Sequence, residues 1–363
     1  MKILVTYRAI DNTAGGVERA SSLIMNEMVN RGHEIAFVTF DHPGATSFYK
    51  LNPGIIWHKL GLGDPSKTAR FKMRLQRILA IRKIIKQFKP DVALAFQEAS
   101  FLSTRLAAIG LSVPVIAAER NSPSRFNFMN LAKRNLAFQS FRFARFITIQ
   151  CESFRRHYPH RLHSKIETIP NPVFPVETSS EEKENIVLSV GRFEYQKNFQ
   201  CLIKAFSKIS SKSPEWKLVI VGDGQDRKEL KDLIEDHNLQ NRISLPDPSN
   251  DPSHYYKAAK IFCLPSRWEG FPNALGEALA HGLPSVGFGD CDGVRDLIQN
   301  NKNGLLATGN DDADSLAGML RILISDEKLR DEMAKNAIIS IQAYEPSSIL
   351  TRWESLLKQA AGE

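Results

Sequence analysis

Short apolar segments alternate with amphipathic helical patterns along most of the chain. In the first half, apolar runs occur at 3–6, 34–40, 92–96, 115–118 and 146–149, with a helical pattern at 17–31. The rhythm restarts in the second half, with apolar runs at 186–190, 217–221, 261–264 and 285–288 and helical patterns at 200–210 and 227–237. Because strands covered on both faces form continuous apolar runs and alternate with helices, the pattern predicts an α/β fold with doubly wound parallel sheets.

A segment rich in Pro, Ser and Glu separates the two halves at about 171–185. We therefore expect an N-terminal domain at 1–172, a C-terminal domain at 173–345, and a terminal helix at 346–363 that packs back toward the N-terminal domain. The chain has 363 residues, which is enough for two domains with sizeable cores. Because ligands of doubly wound sheets bind beyond the carboxyl ends of the strands, a cleft between those ends is expected.

Composition narrows the class of protein. Hydrophobic residues make up 42% and charged residues 24%, which excludes disordered and fibrous proteins. The four cysteines are widely separated and form no Cys-x-x-Cys pair, so we expect reduced thiols and no cysteine-based zinc site. The first residues lack the apolar segment of a signal peptide, and no run approaches the about 18 apolar residues of a membrane-spanning helix. These features predict a soluble, cytoplasmic protein.

The net charge of +8 is unevenly divided. Residues 1–172 carry 26 Lys and Arg against 11 Asp and Glu, whereas residues 173–363 carry 22 against 29. A basic half joined to an acidic half indicates an anionic partner for the basic half. A phosphate ligand, anionic lipid headgroups and nucleic acid are all possible anionic partners on this evidence.

Two segments concentrate the positive charge of the first half. Residues 67–89 carry nine basic side chains and no acidic one, with apolar residues at helical spacing: Phe71, Leu75, Ile78, Ile81, Ile85 and Phe88. Residues 125–146 add five basic residues and six phenylalanines, again without an acid. The apolar stripe either packs on the sheet or lies on an anionic bilayer. The absence of acids in both segments favours a membrane-facing first domain.

The most informative stretch follows the apolar run 261–264 and covers residues 266–279, SRWEGFPNALGEAL. Pro272 suits the first turn of a helix, so the amides near it would lie at a helix N-terminus, where they can bind phosphate. Glu269 and Glu277 are eight residues apart, and on one continuous helix they would lie on different faces. A break at 270–272 lets both carboxylates reach an extended ligand. The alternative is a pair of solvated surface glutamates.

Arg192 and Lys197 lie in a loop that follows the apolar run 186–190 and precedes a helical pattern. Both side chains can meet a pyrophosphate there, the arginine as a fork and the lysine as a point charge. The alternative is two solvated charges.

Glycines mark two further strand ends. Gly222 and Gly224 follow the run 217–221, where they permit a tight turn or the close approach of a ligand. Gly15 and Gly16 join the first strand to its helix, where bare backbone can approach a diphosphate. The G-x-G-x-x-G spacing of dinucleotide-dependent oxidoreductases is missing, which argues against NAD.

Taken in order, these stretches resemble a retaining glycosyltransferase of the GT-B architecture, in the large family that carries an E-x7-E motif. The resemblance rests on the glycine loop at 15–16, the G-R-x4-K-N stretch at 191–198, G-D-G at 222–224 and the E-G-F-P-N-A-L-G-E block at 269–277. It covers nearly the whole chain and implies two Rossmann-like domains that face each other across a cleft. The chain is also similar to bacterial N-acetylgalactosaminyltransferases that extend undecaprenyl-diphosphate-linked oligosaccharides.

The resemblance implies a role for each motif residue. Arg192 and Lys197 would bind the donor diphosphate, Glu269 the transferred sugar and Glu277 the ribose hydroxyls. The remaining donor-site positions are Gly15, Gly16, Gly222, Gly224, Phe271, Pro272, Asn273 and Ala274. Family members often carry a His after the strand that corresponds to 115–118, and this chain has Glu119, Arg120 and Asn121 there, which makes them candidates for contact with the sugar or the acceptor.

The implied reaction moves a hexose or N-acetylhexosamine from a UDP-linked donor to a glycan acceptor linked to undecaprenyl diphosphate, in the assembly of a bacterial surface polysaccharide or glycoprotein glycan. No metal or other cofactor is implied, because fixed cations and helix-end amides can stabilise the departing diphosphate. Asp290-Cys291-Asp292 matches a metal-binding D-x-D pattern, but its glycine-rich surroundings indicate a polar turn. The implied location is peripheral, on the inner face of the cytoplasmic membrane.

Two alternatives remain at this point. One is a glucosyl- or mannosyltransferase of the same architecture that acts on a soluble acceptor. The other is a nucleic-acid-binding protein, which the pI of 9.2 suits but which leaves Glu269 and Glu277 unexplained.

Overall fold

The computed structural model of the protein describes residues 1–65, 67, 69–128, 139–176, 182–248 and 252–363. The chain divides into two compact units, one formed by Met1–Pro172 with Ser347–Glu363 and the other by Val173–Pro346. Each unit contains one parallel sheet with helices. Residues 129–138 of the second basic segment and 177–181 of the predicted linker lie outside the described residues.

The first unit has a seven-stranded sheet in the order β3-β2-β1-β4-β5-β6-β7. Its strands are β1 (Lys2–Thr6), β2 (Glu34–Thr39), β3 (Ile55–Lys59), β4 (Val92–Phe96), β5 (Val115–Ala118), β6 (Ile147–Ile149) and β7 (Ile166–Thr168). Its longer helices are α1 (Gly16–Asn30), α2 (Phe71–Phe88) and α3 (Glu98–Ala107), and three 3-10 helices span Pro123–Phe128, Glu152–His157 and His160–Lys165. The strand order reverses between β1 and β4, which is where doubly wound sheets bind their ligands.

The second unit has a six-stranded sheet in the order β10-β9-β8-β11-β12-β13. Its strands are β8 (Ile186–Val190), β9 (Lys217–Val221), β10 (Ile243–Ser244), β11 (Ile261–Leu264), β12 (Ser285–Phe288) and β13 (Gly304–Ala307). Its helices are α4 (Phe199–Ser210), α5 (Arg227–Asp236), α6 (Ser253–Ala258), α7 (Asn273–Ala280), α8 (Asp292–Leu297), α9 (Ala313–Ser325) and α10 (Glu327–Ile341), and a 3-10 helix spans Gln342–Tyr344. This strand order is that of the dinucleotide-binding Rossmann fold, with its reversal between β8 and β11.

The last helix, α11 (Pro346–Ala361), contributes to the core of the first unit. Ile349, Trp353 and Leu357 on one face of α11 are fully buried, in one cluster with the strand residues Ile3 and Leu94. Burial of side chains of this size stabilises the unit by about 1.5–3 kcal/mol each. The helix at the end of the chain is therefore part of the hydrophobic core of the first unit.

The predicted α/β class with parallel sheets is confirmed, and the apolar runs correspond to the central strands. Four strands have no counterpart among the apolar runs above, namely β3, β7, β10 and β13, and all four lie at sheet edges. β3 and β7 are only partly buried and lack the continuous apolar run of the central strands, and β10 has only two residues. The sequence of β13, GLLA, is apolar and mostly buried, so its signal was present but was not used.

The apolar stripe of α2 divides into two parts. Ile81, Ile84 and Ile85 in its C-terminal half are buried in the unit, whereas Phe71 and Leu75 are 83% and 47% exposed. The stripe is therefore buried in the unit only along the second half of the helix, where α2 packs beside α3. Among the described residues, no helix combines the length and apolar composition needed to cross a bilayer.

Candidate active site

Two sequence motifs meet at the carboxyl ends of β8 and β11, which are neighbours in the sheet of the second unit. The loop after β8 carries Arg192 and Lys197, and the loop after β11 carries Glu269. The Gln196 carbonyl accepts a hydrogen bond from the Arg267 amide at 2.9 Å, and the Gln196 side chain donates to the Trp268 carbonyl at 2.8 Å. Residues about seventy positions apart in sequence are thus held together at the strand reversal.

Lys197 and Glu269 form a largely buried ion pair at this point. Lys197 Nζ lies 2.6 Å from Glu269 Oε1, and Ser266 Oγ donates to the same oxygen at 2.6 Å. Glu269 is only 5% exposed, so its charge depends on these two partners. Among the described residues, the second carboxylate oxygen, Oε2, has no hydrogen-bond partner and is available to a ligand.

The Asp290–Asp292 loop packs behind the Glu269 loop. A Cβ added to Gly293 would lie 2.4 Å from the Gly270 carbonyl oxygen, so only glycine allows this approach. Asp290 accepts a hydrogen bond from the Gly309 amide, and buried Asp292 pairs with Arg295 at 2.8 Å. The carboxylates of this loop therefore have structural partners. No group of His, Cys, Asp or Glu suited to a metal ion occurs within the part of the chain that the structure describes.

Arg192 is placed differently from Lys197. Its side chain is 75% exposed and its Nη2 lies 2.9 Å from Glu194 Oε1 in the same loop. To contact a diphosphate, Arg192 would have to leave Glu194 or bind Glu194 and the diphosphate together. The structure thus preorganises Lys197 more strongly than Arg192.

Gly222 and Gly224 support the loop that carries Arg192. A Cβ at Gly222 would lie 1.9 Å from the Gly191 carbonyl oxygen, and one at Gly224 would lie 2.4 Å from the Phe193 carbonyl oxygen. Backbone hydrogen bonds join the same segments, from the Phe193 amide to the Asp223 carbonyl at 2.8 Å among others. The glycines are required by this close approach of two backbones, and their direct contact with a donor stays a prediction.

Helix α7 begins immediately after the Glu269 loop. Pro272 is its N-cap residue and cannot cap it through a side-chain hydrogen bond, while Asn273 and Ala274 form its first turn. Phe271 is buried and lies 5.6 Å from the Tyr344 ring, which anchors the start of the helix. The positive end of the α7 dipole is therefore adjacent to Glu269, as an anion site requires.

Glu277 lies in the second turn of α7 and is half-buried. Tyr256 donates its hydroxyl to Glu277 Oε2 at 3.1 Å, and the Tyr256 ring stacks on His281 with centroids 5.0 Å apart. His281 Nδ1 is 2.8 Å from the Glu277 carbonyl oxygen. Glu269 and Glu277 thus have separate supports, and their contact with two positions of one ligand stays a prediction.

In the first unit, Gly15 and Gly16 begin α1 as predicted for a bare backbone, and no side chain caps the helix. The Glu18 carboxylate folds back over this end, because a Cβ at Gly15 would lie 2.1 Å from Glu18 Oε2. Tyr7 donates its hydroxyl to Glu18 Oε1 at 2.8 Å, and burial together with this carboxylate raises the pKa of Tyr7. A ligand that bound at Gly15 would therefore lie beside the Glu18 carboxylate at the start of α1.

Glu119 and Asn121 follow β5 and lie in a charged cluster of the first unit. Glu119 is buried, and its Oε1 accepts from the Asn121 amide at 3.3 Å and from Arg125 Nη1 at 3.4 Å. Arg125 also binds Glu98 at 2.9 Å. Burial raises the pKa of Glu119 and the Arg125 charge opposes this rise. The cluster orders the turn after β5.

Arg120 points into the first unit. Its Nη1 donates to the Ile169 carbonyl at 3.0 Å, and its guanidinium lies 4.8 Å from the centre of the Trp353 ring. Burial lowers the pKa of Arg120 to about 9. Within the described ranges its Nε and Nη2 have no hydrogen-bond partner. This placement favours support of the β5 loop, and contact of Arg120 with a sugar stays a prediction.

A cavity of about 810 Å³ opens at the carboxyl ends of β1, β2 and β4 in the first unit. Its polar lining includes Tyr7, Asp11, Glu18, Asp41, His42 and Gln97. Ligand cavities in proteins are commonly about 300–1,000 Å³, so the volume of this cavity lies in that range.

Two protein-family models match the chain. The model described as "Glycosyltransferase Family 4" matches residues 14–175, and the model described as "Glycosyl transferases group 1" matches residues 172–339. A Campylobacter jejuni protein named "GalNAc-alpha-(1->4)-GalNAc-alpha-(1->3)-diNAcBac-PP-undecaprenol alpha-1,4-N-acetyl-D-galactosaminyltransferase" is 30% identical over 95% of this chain and 96% of that protein. The chain is a glycosyltransferase.

Solved structures have the same fold as this glycosyltransferase. The sucrose-phosphate synthase of Thermosynechococcus elongatus superposes with a TM-score of 0.84 at 18% identity, over 99% of this chain and 98% of that chain. The structure titled "Crystal structure of Anabaena Alr3699/HepE in complex with UDP" superposes with a TM-score of 0.79 at 18% identity, over 99% and 100%. The expected GT-B fold of two Rossmann-like units is confirmed.

Two side chains that hold candidate site residues in place were not predicted from the sequence. Ser266 donates a hydrogen bond to Glu269, and its position three residues before that glutamate was the sequence feature that could have predicted this contact. Tyr256 binds Glu277 from helix α6, and no sequence pattern connects them.

Proposed function

We propose that this glycosyltransferase moves an N-acetylhexosamine or hexose from a UDP-sugar to a glycan carried on undecaprenyl diphosphate, with retention of configuration. The observation that carries the proposal is the Lys197–Glu269 pair beside the start of α7. Lys197 and the N-terminus of α7 can stabilise the negative charge that develops on the leaving phosphate. Oε2 of Glu269 is available to accept hydrogen bonds from sugar hydroxyls.

The reaction needs charge stabilisation more than a nucleophile. Breaking the anomeric C–O bond builds negative charge on the departing UDP, and Lys197, Arg192 and the amides at Asn273 and Ala274 stabilise that charge. In the proposed front-face attack, the acceptor hydroxyl forms the new C–O bond while its proton passes to the leaving phosphate. Interactions that strengthen as this charge develops lower the barrier rather than merely bind the substrate. No cofactor is required in this scheme.

The acceptor glycan binds in the cavity at the carboxyl ends of β1, β2 and β4. Carboxylates of Asp11, Glu18 and Asp41 line it and can accept hydrogen bonds from sugar hydroxyls. Tyr7 holds Glu18 in position. Four carboxylates, including Asp64, line the cavity against one arginine, Arg8, and this excess of negative charge disfavours the diphosphate itself. We therefore assign to this cavity the sugar end of the acceptor.

The names of similar proteins support this choice of substrates. The C. jejuni relative is named for transfer of N-acetylgalactosamine to an undecaprenol-linked glycan, and the Anabaena structure contains UDP. These names make UDP-N-acetylhexosamines the first donors to test.

A panel of nucleotides and nucleotide sugars tests the proposal by thermal shift. We expect UDP and at least one UDP-sugar to raise the melting temperature, because a ligand at 100 times its Kd stabilises the folded protein by about 2.7 kcal/mol. ADP and GDP serve as matched controls with the same diphosphate. If no UDP compound stabilises the protein more than ADP and GDP do, the proposed donor is wrong.

We further propose that the first unit docks peripherally on the inner face of the cytoplasmic membrane, which carries the lipid-linked acceptor. Helix α2 exposes Phe71, Leu75 and Leu79, and the neighbouring α3 exposes Leu102 and Leu106. Arg82 joins the two helices by donating to the Ala107 and Ile109 carbonyls. Exposed cations accompany the apolar side chains on α2, namely Lys72, Arg74, Lys83 and Lys86. Apolar side chains rimmed by cations fit an anionic bilayer.

Sedimentation with phosphatidylglycerol-containing liposomes at low salt tests the docking. We expect K83Q/K86Q to weaken binding about tenfold or more, because each cation near an anionic surface contributes about 1 kcal/mol. L75S/L79S should weaken it by a similar factor through lost apolar contact. The control I339S changes an exposed isoleucine of the second unit and should bind normally. No binding of the unmodified protein would favour the soluble-acceptor alternative.

A further inference from the structure

A second cavity lies in the second unit, at the end of its sheet opposite the candidate active site. It has a volume of about 440 Å³ and adjoins the amino ends of β8, β11 and β12, whereas Lys197 and Glu269 lie at carboxyl ends. Its walls come from the segment before β8, the end of α7 and the first turns of α10. None of the predicted donor-site residues lines it.

The cavity is strongly basic. Its lining contains Lys183, Lys257, Lys260, Lys335, His281 and Arg330, against two acidic residues, Glu327 and Asp331. This concentration of cations contrasts with the rest of the second half of the chain, where acidic residues outnumber basic ones. A positive potential in a concave site attracts anions.

The lysines of the cavity lack compensating carboxylates. Lys183 Nζ donates to the His281 carbonyl at 3.1 Å, and Lys260 Nζ donates to Asn185 Oδ1 at 2.9 Å. Across the described ranges, none of the four lysines has a carboxylate oxygen within ion-pair distance. Burial lowers the pKa of Lys183 to about 8, which indicates an ammonium group that a bound anion would stabilise.

His281 adds a second unsatisfied group to the wall. Its Nδ1 faces the Glu277 carbonyl, while its Nε2 is buried and has no hydrogen-bond partner among the described residues. Arg330, in contrast, is already engaged with the Leu323 and Ile324 carbonyls. The available donors are therefore the lysine ammonium groups and, when protonated, His281.

We propose that this cavity is a second ligand site, separate from the donor site, that binds a small phosphate-bearing molecule. Several ammonium groups around one concave space suit the point-charge recognition of phosphate by lysine. Ala334 and Ile338 supply an apolar wall for the organic part of such a molecule. The volume lies within the range of small-ligand cavities.

The test measures binding of inorganic phosphate and pyrophosphate by calorimetry at constant ionic strength, with UDP in saturating excess to occupy the proposed donor site. We expect saturable binding to the unmodified protein and at least tenfold weaker binding to K257Q/K335Q, since each charged hydrogen bond is commonly worth that factor. Both lysines are exposed, so this variant should fold normally. Lys183 and His281 are left unchanged because they also contact the segment that holds Glu277.

Two control variants separate this site from other causes. K228Q/K231Q removes the same charge from the exposed surface of α5 and should bind phosphate normally. K197A disables the predicted donor site, and it should retain phosphate binding at the second cavity even if the proposed donor is wrong. The proposal is overturned if the unmodified protein shows no saturable binding, if K257Q/K335Q binds normally, or if K228Q/K231Q loses as much affinity.

Discussion

Replacing Lys197 by alanine should lower kcat by about 10²–10³, the usual loss when one preorganised charge-stabilising group is removed. Lys197 is held 2.6 Å from Glu269 at the carboxyl ends of β8 and β11, so its position is set before a donor binds. Arg192→Ala is predicted to fall in the same range, although its present partner is Glu194. Initial rates with a saturating UDP-sugar and an undecaprenyl-diphosphate-linked acceptor glycan measure both effects.

Stability must be separated from catalysis in this experiment. Lys197→Ala also leaves the buried Glu269 with only Ser266 as a partner, and breaking a buried ion pair commonly costs about 3–5 kcal/mol. The double variant K197A/E269Q removes both charges and should recover much of the lost stability without recovering turnover. Lys204→Ala, an exposed change on α4, should be neutral in both assays. Near-native turnover of both R192A and K197A would exclude these residues from the site.

Glu277→Gln should weaken the binding of UDP by about 10–150-fold, whereas Glu269→Gln should chiefly slow turnover. The first change removes the proposed charged hydrogen bond to ribose, worth about 1.5–3 kcal/mol. The second removes the proposed contact to the transferred sugar, which UDP lacks. Calorimetry with UDP and initial rates with the UDP-sugar distinguish the two roles.

Tyr256→Phe is the matched control for Glu277. It removes the hydroxyl that donates to Glu277 Oε2 at 3.1 Å and keeps the ring that stacks on His281, so it should weaken UDP binding less than Glu277→Gln does. If Glu269→Gln loses UDP affinity while Glu277→Gln keeps it, the two roles are reversed. If neither variant affects binding or rate, the buried Glu269 and the half-buried Glu277 have structural roles only.

The central strands and the motif loops were predictable from the sequence. The apolar runs at 3–6, 92–96, 186–190 and 261–264 correspond to β1, β4, β8 and β11, the strands beside the two reversals of strand order. These strands are covered on both faces, so they must be apolar throughout, and their neighbours in sequence then mark the ligand-binding edge. The edge strands β3 and β7 lacked this signal because they carry less of the buried surface.

The side-chain partners were decided only by the tertiary structure. The sequence by itself determined that Lys197 and Glu269 follow strands of parallel sheets, but their 2.6 Å contact depends on β8 and β11 being neighbours. The contact of Tyr256 with Glu277 likewise depends on how α6 and α7 pack together. In the periodic stripe of α2, Phe71 is exposed and Ile85 is buried, because only the second half of the helix is covered by other segments. Periodicity depends on residues within a few turns, whereas burial and pairing depend on which distant segment packs alongside, and that is decided when the sheet assembles.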